Sequence, residues 1–168
     1  MANKEKFFKR HSIAFLSSTG LAAIFTVLAL IFGGLSCIAP GYYYANFAWI
    51  TVMSIVMFIF IVAAVCIPIF FKDKKIYKWM MIVQTVLLVA STFMAGFSIM
   101  LTFTDSRTLM IMGDVWFSEL ARGKPIPQAA MNNTASSMVF FLLAAIALVV
   151  AAFLNPLKRN ELAETKSV

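Results

Sequence analysis

The chain has 168 residues, of which 62% are hydrophobic and only 12% charged, so a water-soluble domain of this composition would lack the polar surface to cover itself. A net charge of +7 would suggest nucleic-acid binding in a soluble protein, but its distribution has another cause. Eleven of the fourteen basic residues fall in three segments, Lys4 to Arg10, Lys72 to Lys78 and Lys158 to Lys166, while Arg107, Arg122 and Lys124 cancel Asp105, Asp114 and Glu119.

A membrane crossing takes about 20 apolar residues, and four runs of that size lack Asp, Glu, Lys and Arg: 13–36, 47–70, 79–102 and 136–154. They predict an all-α integral membrane four-helix bundle forming one domain over 1–168, with no separate soluble domain. If all four cross, the three basic segments share one side, which the positive-inside rule makes cytoplasmic. Both termini are then cytoplasmic, the expected location is the plasma (cytoplasmic) membrane, and the charge needs no nucleic-acid partner.

Residues 1–11 are short and basic and precede an apolar run, as in a signal peptide. That run is about 24 residues against the roughly 7 to 15 of a signal core, and Pro40 follows the small-residue site at Cys37 to Ala39. The first span is therefore expected to remain as an anchor. Within it Thr19, Ala23, Thr26, Leu30, Gly33 and Cys37 recur at steps of three and four, a helix face of mostly small residues suited to close packing in lipid.

The first outer connection is short, with Tyr42, Tyr43 and Tyr44 ahead of Phe47 and Trp49, and reads as an aromatic belt at the headgroup level. The second span has few small residues and is expected to face lipid over much of its surface, with Pro68 near its inner end. Cys37 and Cys66 lie near opposite ends of adjacent spans. Their depths differ by some 25 to 30 Å, too far for a disulfide.

The third span carries the most informative pattern. Gln84, Ser91, Ala95, Ser98 and Thr102 fall on one stripe, with Leu88 filling the gap, and Gln84 is the only side-chain amide within a span. Such a stripe faces another helix or a narrow wet path, and a charged-ion path or proton relay lacks its usual ionisable groups. In the fourth span Ala144, Ala147 and Ala151 form a further packing face, and Asn155 and Pro156 stop the helix. The tail 160–168 reads as disordered.

The outer stretch 103–135 is expected to hold a short amphipathic helix capped by Asp114 and ended by Gly123. Pro127 is placed to begin a fourth helix from about 127 to 154. Trp116, Phe117, Leu120 and Met131 form a candidate outer partner surface, or a cap lying in the interface. Asn132, Asn133 and Thr134 match a glycosylation acceptor.

No nucleophile with a base, paired carboxylates, metal cluster or phosphate loop can be read in the chain, so neither enzymatic activity nor a cofactor or metal is expected. In topology alone the chain resembles claudin-like and MARVEL-type four-span proteins, which also keep both termini inside. The first connection here is only a few residues, with Cys37 alone at its edge. It has no counterpart of the paired cysteines and tryptophan motif of the claudin first outer loop. The leading expectation is a non-enzymatic accessory or assembly subunit of a larger membrane complex. Its partners are the bilayer and other membrane subunits or further copies of itself, met through small-residue helix faces and the outer cap. The alternative is a small oligomeric transporter or pore passing a neutral solute along the Gln84 stripe.

Overall fold

Each apolar run forms one helix. The computed structural model describes residues 12–38, 46–70, 77–113 and 125–154, which form α1 (Ile13–Ile38), α2 (Phe47–Phe70), α3 (Tyr77–Gly113) and α4 (Pro125–Phe153). All four are long and apolar enough to cross a membrane, over Ile13–Ile38, Phe47–Ile67, Trp79–Thr104 and Ala129–Phe153. Ser12 and Asn46, residue types that favour helix starts, accept the first N–H bonds of α1 and α2, from Leu16 at 3.1 Å and Ile50 at 3.0 Å. Helix α4 closes with a tightened turn in which the Leu154 N–H donates to the Ala151 carbonyl at 3.2 Å.

Two boundaries differ from expectation. Helix α3 does not stop near Thr102 but runs 37 residues to Gly113, about 55 Å at 1.5 Å per residue. That exceeds a hydrocarbon core of about 30 Å, so α3 projects beyond it. Nothing between Phe103 and Met112 breaks a helix, and Gly113 is the first residue there with a large helical penalty. Helix α4 begins at Pro125 rather than Pro127. Both prolines fall in the first turn, where the missing N–H groups would have had no intrahelical acceptor. The expected Asp114-capped helix, with Trp116, Phe117 and Leu120, lies outside the described residues, as do Tyr42 to Tyr44, residues 71–76 and the tail 160–168.

The helices form a ring in chain order. Helix α1 packs most extensively on α4, α3 packs on both α2 and α4, and α1 meets α2 over a smaller contact. Two clusters divide the interior by depth. One joins Phe15 and Ala22 with Met57, Ile61, Ala64, Leu88, Ala95, Leu148 and Ala151, and the other joins Ala29, Ile50 and Phe141. Early α1 and α3 thus meet late α2 and α4, the signature of an up-down-up-down bundle. The start of α1, the end of α2, the start of α3 and the end of α4 share one end. All three basic segments of the sequence adjoin these helix ends, which we call the basic end.

The interior is built from heptad seams. In α1 it is Phe15, Thr19, Ala22, Thr26, Ala29, Gly33 and Ser36. In α2 it is Ile50, Ser54, Met57, Ile61 and Ala64, and in α4 it is Ala130, Thr134, Ser137, Phe141, Ala144, Leu148 and Ala151. Alternating three- and four-residue steps keep one face toward a partner along its length, the pattern of left-handed helix packing in water and in lipid. The opposite faces carry exposed Leu21, Ile24, Ile31, Ile55, Ile59, Leu142 and Ile146, as lipid contact requires.

The seam of α1 differs from the expected one by a phase. Thr19, Thr26 and Gly33 are buried as anticipated, but Ala23 and Leu30 are only half-buried and Cys37 is exposed. Ala22, Ala29 and Ser36 take their places. The two rows share every other residue, and what separates them is size and bonding: Ala29 is smaller than Leu30, and Ser36 has an acceptor on α4. Cys37 and Cys66 form no disulfide.

Candidate functional site

The contact between α1 and α4 is stitched by hydroxyls. Ser18 Oγ donates to the Ala147 carbonyl at 2.7 Å and Ser137 Oγ to the Ala29 carbonyl at 2.8 Å. Further along, Ser36 Oγ lies 3.2 Å from the Ala130 carbonyl and Thr134 Oγ1 lies 3.0 Å from Ser36 Oγ. These pairs rise along α1 as they fall along α4, which fixes an antiparallel register over five turns of helix. Such bonds are possible because the surrounding residues are small enough for a short side chain to reach the opposite backbone. A Cβ built at Gly33 would lie 2.9 Å from Phe47 Cε2 and 3.5 Å from Ser137 Oγ, so α1, α2 and α4 converge where only glycine fits without a shift. Phe140 of α4 stacks on Phe25 and Phe32 of α1, with centroids 6.2 and 5.4 Å apart.

The α3 stripe is turned inward. Gln84, Ser91, Ala95, Ser98 and Thr102 are all buried, with Leu88 and Met80 completing the row. The hydroxyls bond within their own helix: Ser91 Oγ donates to the Leu87 carbonyl at 2.8 Å, Ser98 Oγ to the Met94 carbonyl at 2.9 Å, and Thr102 Oγ1 to the Ser98 carbonyl at 2.8 Å. Back-bonding to the fourth preceding carbonyl satisfies a hydroxyl without a second helix or water. The stripe thus reads as a closed seam over most of its length. Gln84 is the exception, since its residue is 3% exposed and neither Nε2 nor Oε1 has a hydrogen-bond partner.

The remaining expected site residues divide. Met131, expected on an outward partner surface, is 1% exposed, because it adjoins Ala130 on the inward side of α4. The acceptor sequence at Asn132 lies in α4, where Asn132 is exposed while its Thr134 is fully buried, 2.9 Å from the Ala130 carbonyl. Ala144 and Ala151 are buried, while Ala147 is half-buried and offers its carbonyl to Ser18. Among the described residues no group of three His, Cys, Asp or Glu is placed to hold a metal ion.

One feature of the surface was not anticipated. An elongated hollow of about 540 Å³ runs down the outward side between α3 and α4, lined by Thr85, Val89, Thr92, Phe93, Gly96, Phe97, Met100, Val149, Ala152 and Phe153. A second hollow of about 290 Å³ at Met81, Ile82, Thr85 and Val86 adjoins it through Thr85. The sequence signal was available in Thr85, Val89, Thr92 and Gly96, a row one residue on from the Gln84 stripe and so on the adjoining face of α3, about 100° round the helix.

Comparison with protein families, with characterised proteins and with solved structures gives no match. The functional reading therefore rests on the geometry above.

Proposed function

We propose that the protein is a non-enzymatic accessory or assembly subunit of a larger membrane complex, held with both termini in the cytoplasm. The observation that carries this reading is the closure of the α3 stripe. The hydroxyls that would line a solute path are bonded to their own helix, and the volume around α3 lies on its lipid side. A bundle closed in this way acts through its surfaces. The small-residue faces of α1, α3 and α4 are engaged inside the bundle, so the surfaces left for partners are the outward helix faces and the outer cap that carries Trp116, Phe117 and Leu120. Orientation follows from charge, since the segments holding eleven of fourteen basic residues adjoin one end.

The test is proximity labelling from the outer cap, followed by purification in mild detergent. A recurring chain that co-purifies in fixed ratio, and is lost in Trp116→Ala with Leu120→Ala, is the expected result. A monodisperse monomer with no recurring neighbour would end the proposal.

A second reading is favoured by one observation, the unpaired Gln84 amide. A small oligomeric pore or transporter would use it as a hydrogen-bonding station for a neutral solute. Flux into liposomes that is unchanged in Gln84→Leu with Ser98→Ala excludes that path.

A further inference from the structure

We infer that Trp49 and Trp79 form a pair of interfacial anchors, one for each leaflet, that hold the bundle at a fixed depth in a bilayer whose hydrocarbon core is about 30 Å thick. The chain has three tryptophans, and these two stand at opposite ends of the bundle. Trp49 lies in the first turn of α2 and Trp79 in the first turn of α3, and the two helices run antiparallel. Neither ring is enclosed, since Trp49 is 61% and Trp79 71% exposed. An exposed indole carries an N–H that needs an acceptor. Hydrocarbon offers none, whereas the headgroup level offers water and ester oxygens beside an apolar floor.

The separation of the two rings in depth follows along α3. Ile50, next to Trp49, belongs to the interior cluster on which Ile99 and Leu101 pack, so Trp49 stands level with that part of α3. From Trp79 to Ile99 or Leu101 is 20 or 22 residues, which at 1.5 Å per residue is about 30 to 33 Å. That is the thickness of a hydrocarbon core. Between the two levels the outward faces carry exposed Ile55, Ile59 and Val62 on α2 and Ile82, Val86 and Phe93 on α3, the surface that acyl chains cover. Held at this depth, the part of α3 from residue 103 to Gly113 reaches about 16 Å beyond the hydrocarbon.

The experiment is depth-dependent fluorescence quenching of the full chain in phosphatidylcholine vesicles whose acyl chains carry bromine at a shallow, a middle or a deep carbon. Trp116→Phe with Trp79→Phe leaves Trp49 as the sole tryptophan, and Trp116→Phe with Trp49→Phe leaves Trp79. Each is expected to be quenched most strongly by the shallow bromines. Each should stay so when the vesicles are made of longer-chain lipid, since an anchored ring keeps the headgroup level. Ile59→Trp in a chain lacking all three native tryptophans calibrates the depth. Ile59 is 59% exposed and ten residues from Trp49, about 15 Å deeper, so this variant should be quenched most strongly by the deep bromines. Strongest quenching of Trp49 or Trp79 by the deep bromines overturns the inference, as does a shift of either toward them in the longer-chain lipid. So does shallow quenching of Ile59→Trp, or weak quenching of Trp49 or Trp79 at every depth, which assigns that ring to a protein partner.

Discussion

Gln84 is where local chemistry and burial disagree. A buried amide left without partners carries its full desolvation penalty, about 1 to 3 kcal/mol. Its neighbours on the stripe avoid that penalty by bonding to their own helix, a route open to Ser and Thr but closed to an amide two bonds longer. Gln84→Leu should therefore stabilise the isolated protein by about 1 to 3 kcal/mol, read as a higher unfolding midpoint in a detergent titration. A lower midpoint would mean that the amide is bonded in the folded protein. Gly33 makes the opposite point. A methyl there meets the edge of the Phe47 ring at 2.9 Å, and that ring can tilt, so Gly33→Ala should be close to neutral once the gain in helix propensity is counted. Gly33→Leu has no such escape past Ser137 and should cost about 1 to 3 kcal/mol by overpacking.

Between elements, the α1 and α4 contact determines the register of the bundle. Ser18 with Ala147 and Ser137 with Ala29 lie far enough apart to act independently. Ser18→Ala and Ser137→Ala should each cost about 0.5 to 1.5 kcal/mol, the range for interhelical hydroxyl bonds in lipid, and the double variant should cost their sum. The same register sets Ala22 opposite Ala144, both fully buried. In a Cys37→Ser, Cys66→Ser background, Ala22→Cys with Ala144→Cys should cross-link on mild oxidation, whereas Leu21→Cys with Ala144→Cys should not. Cross-linking of the second pair and not the first would place the α1 seam one residue off.

How much of this was legible in the sequence follows from what each signal reports. The four helices, and the inward turn of Gln84, Ser91, Ser98 and Thr102, could be read directly, because polar residues in an apolar run have few places to go. The α1 seam was half legible. Thr19, Thr26 and Gly33 fit two adjacent phases, and the choice between them depends on Ser36 and Ala29 meeting a helix about a hundred residues away. The extension of α3 to Gly113 was missed because the fall in hydropathy after Thr102 marks where lipid ends, not where the helix ends. The groove was missed because only a neighbouring helix makes a hollow out of Gly96 and Thr92, and that neighbour is chosen by the tertiary fold.

At the scale of the whole molecule, four helices long and apolar enough to cross a membrane and a buried α3 stripe support the proposed reading of a bundle with its basic end toward the cytoplasm and no solute path through it. The proposed orientation predicts that Ser118→Cys is labelled from outside the cell by an impermeant maleimide and Lys75→Cys only after permeabilisation; the reverse pattern would invert the topology. Closure is tested most directly by osmotic swelling of liposomes carrying the purified protein, with water, urea and glycerol as neutral solutes. With the α3 hydroxyls bonded to their own helix, swelling should match that of protein-free liposomes. Faster swelling that Gln84→Leu abolishes would contradict the closed bundle and make the α3 stripe a pathway.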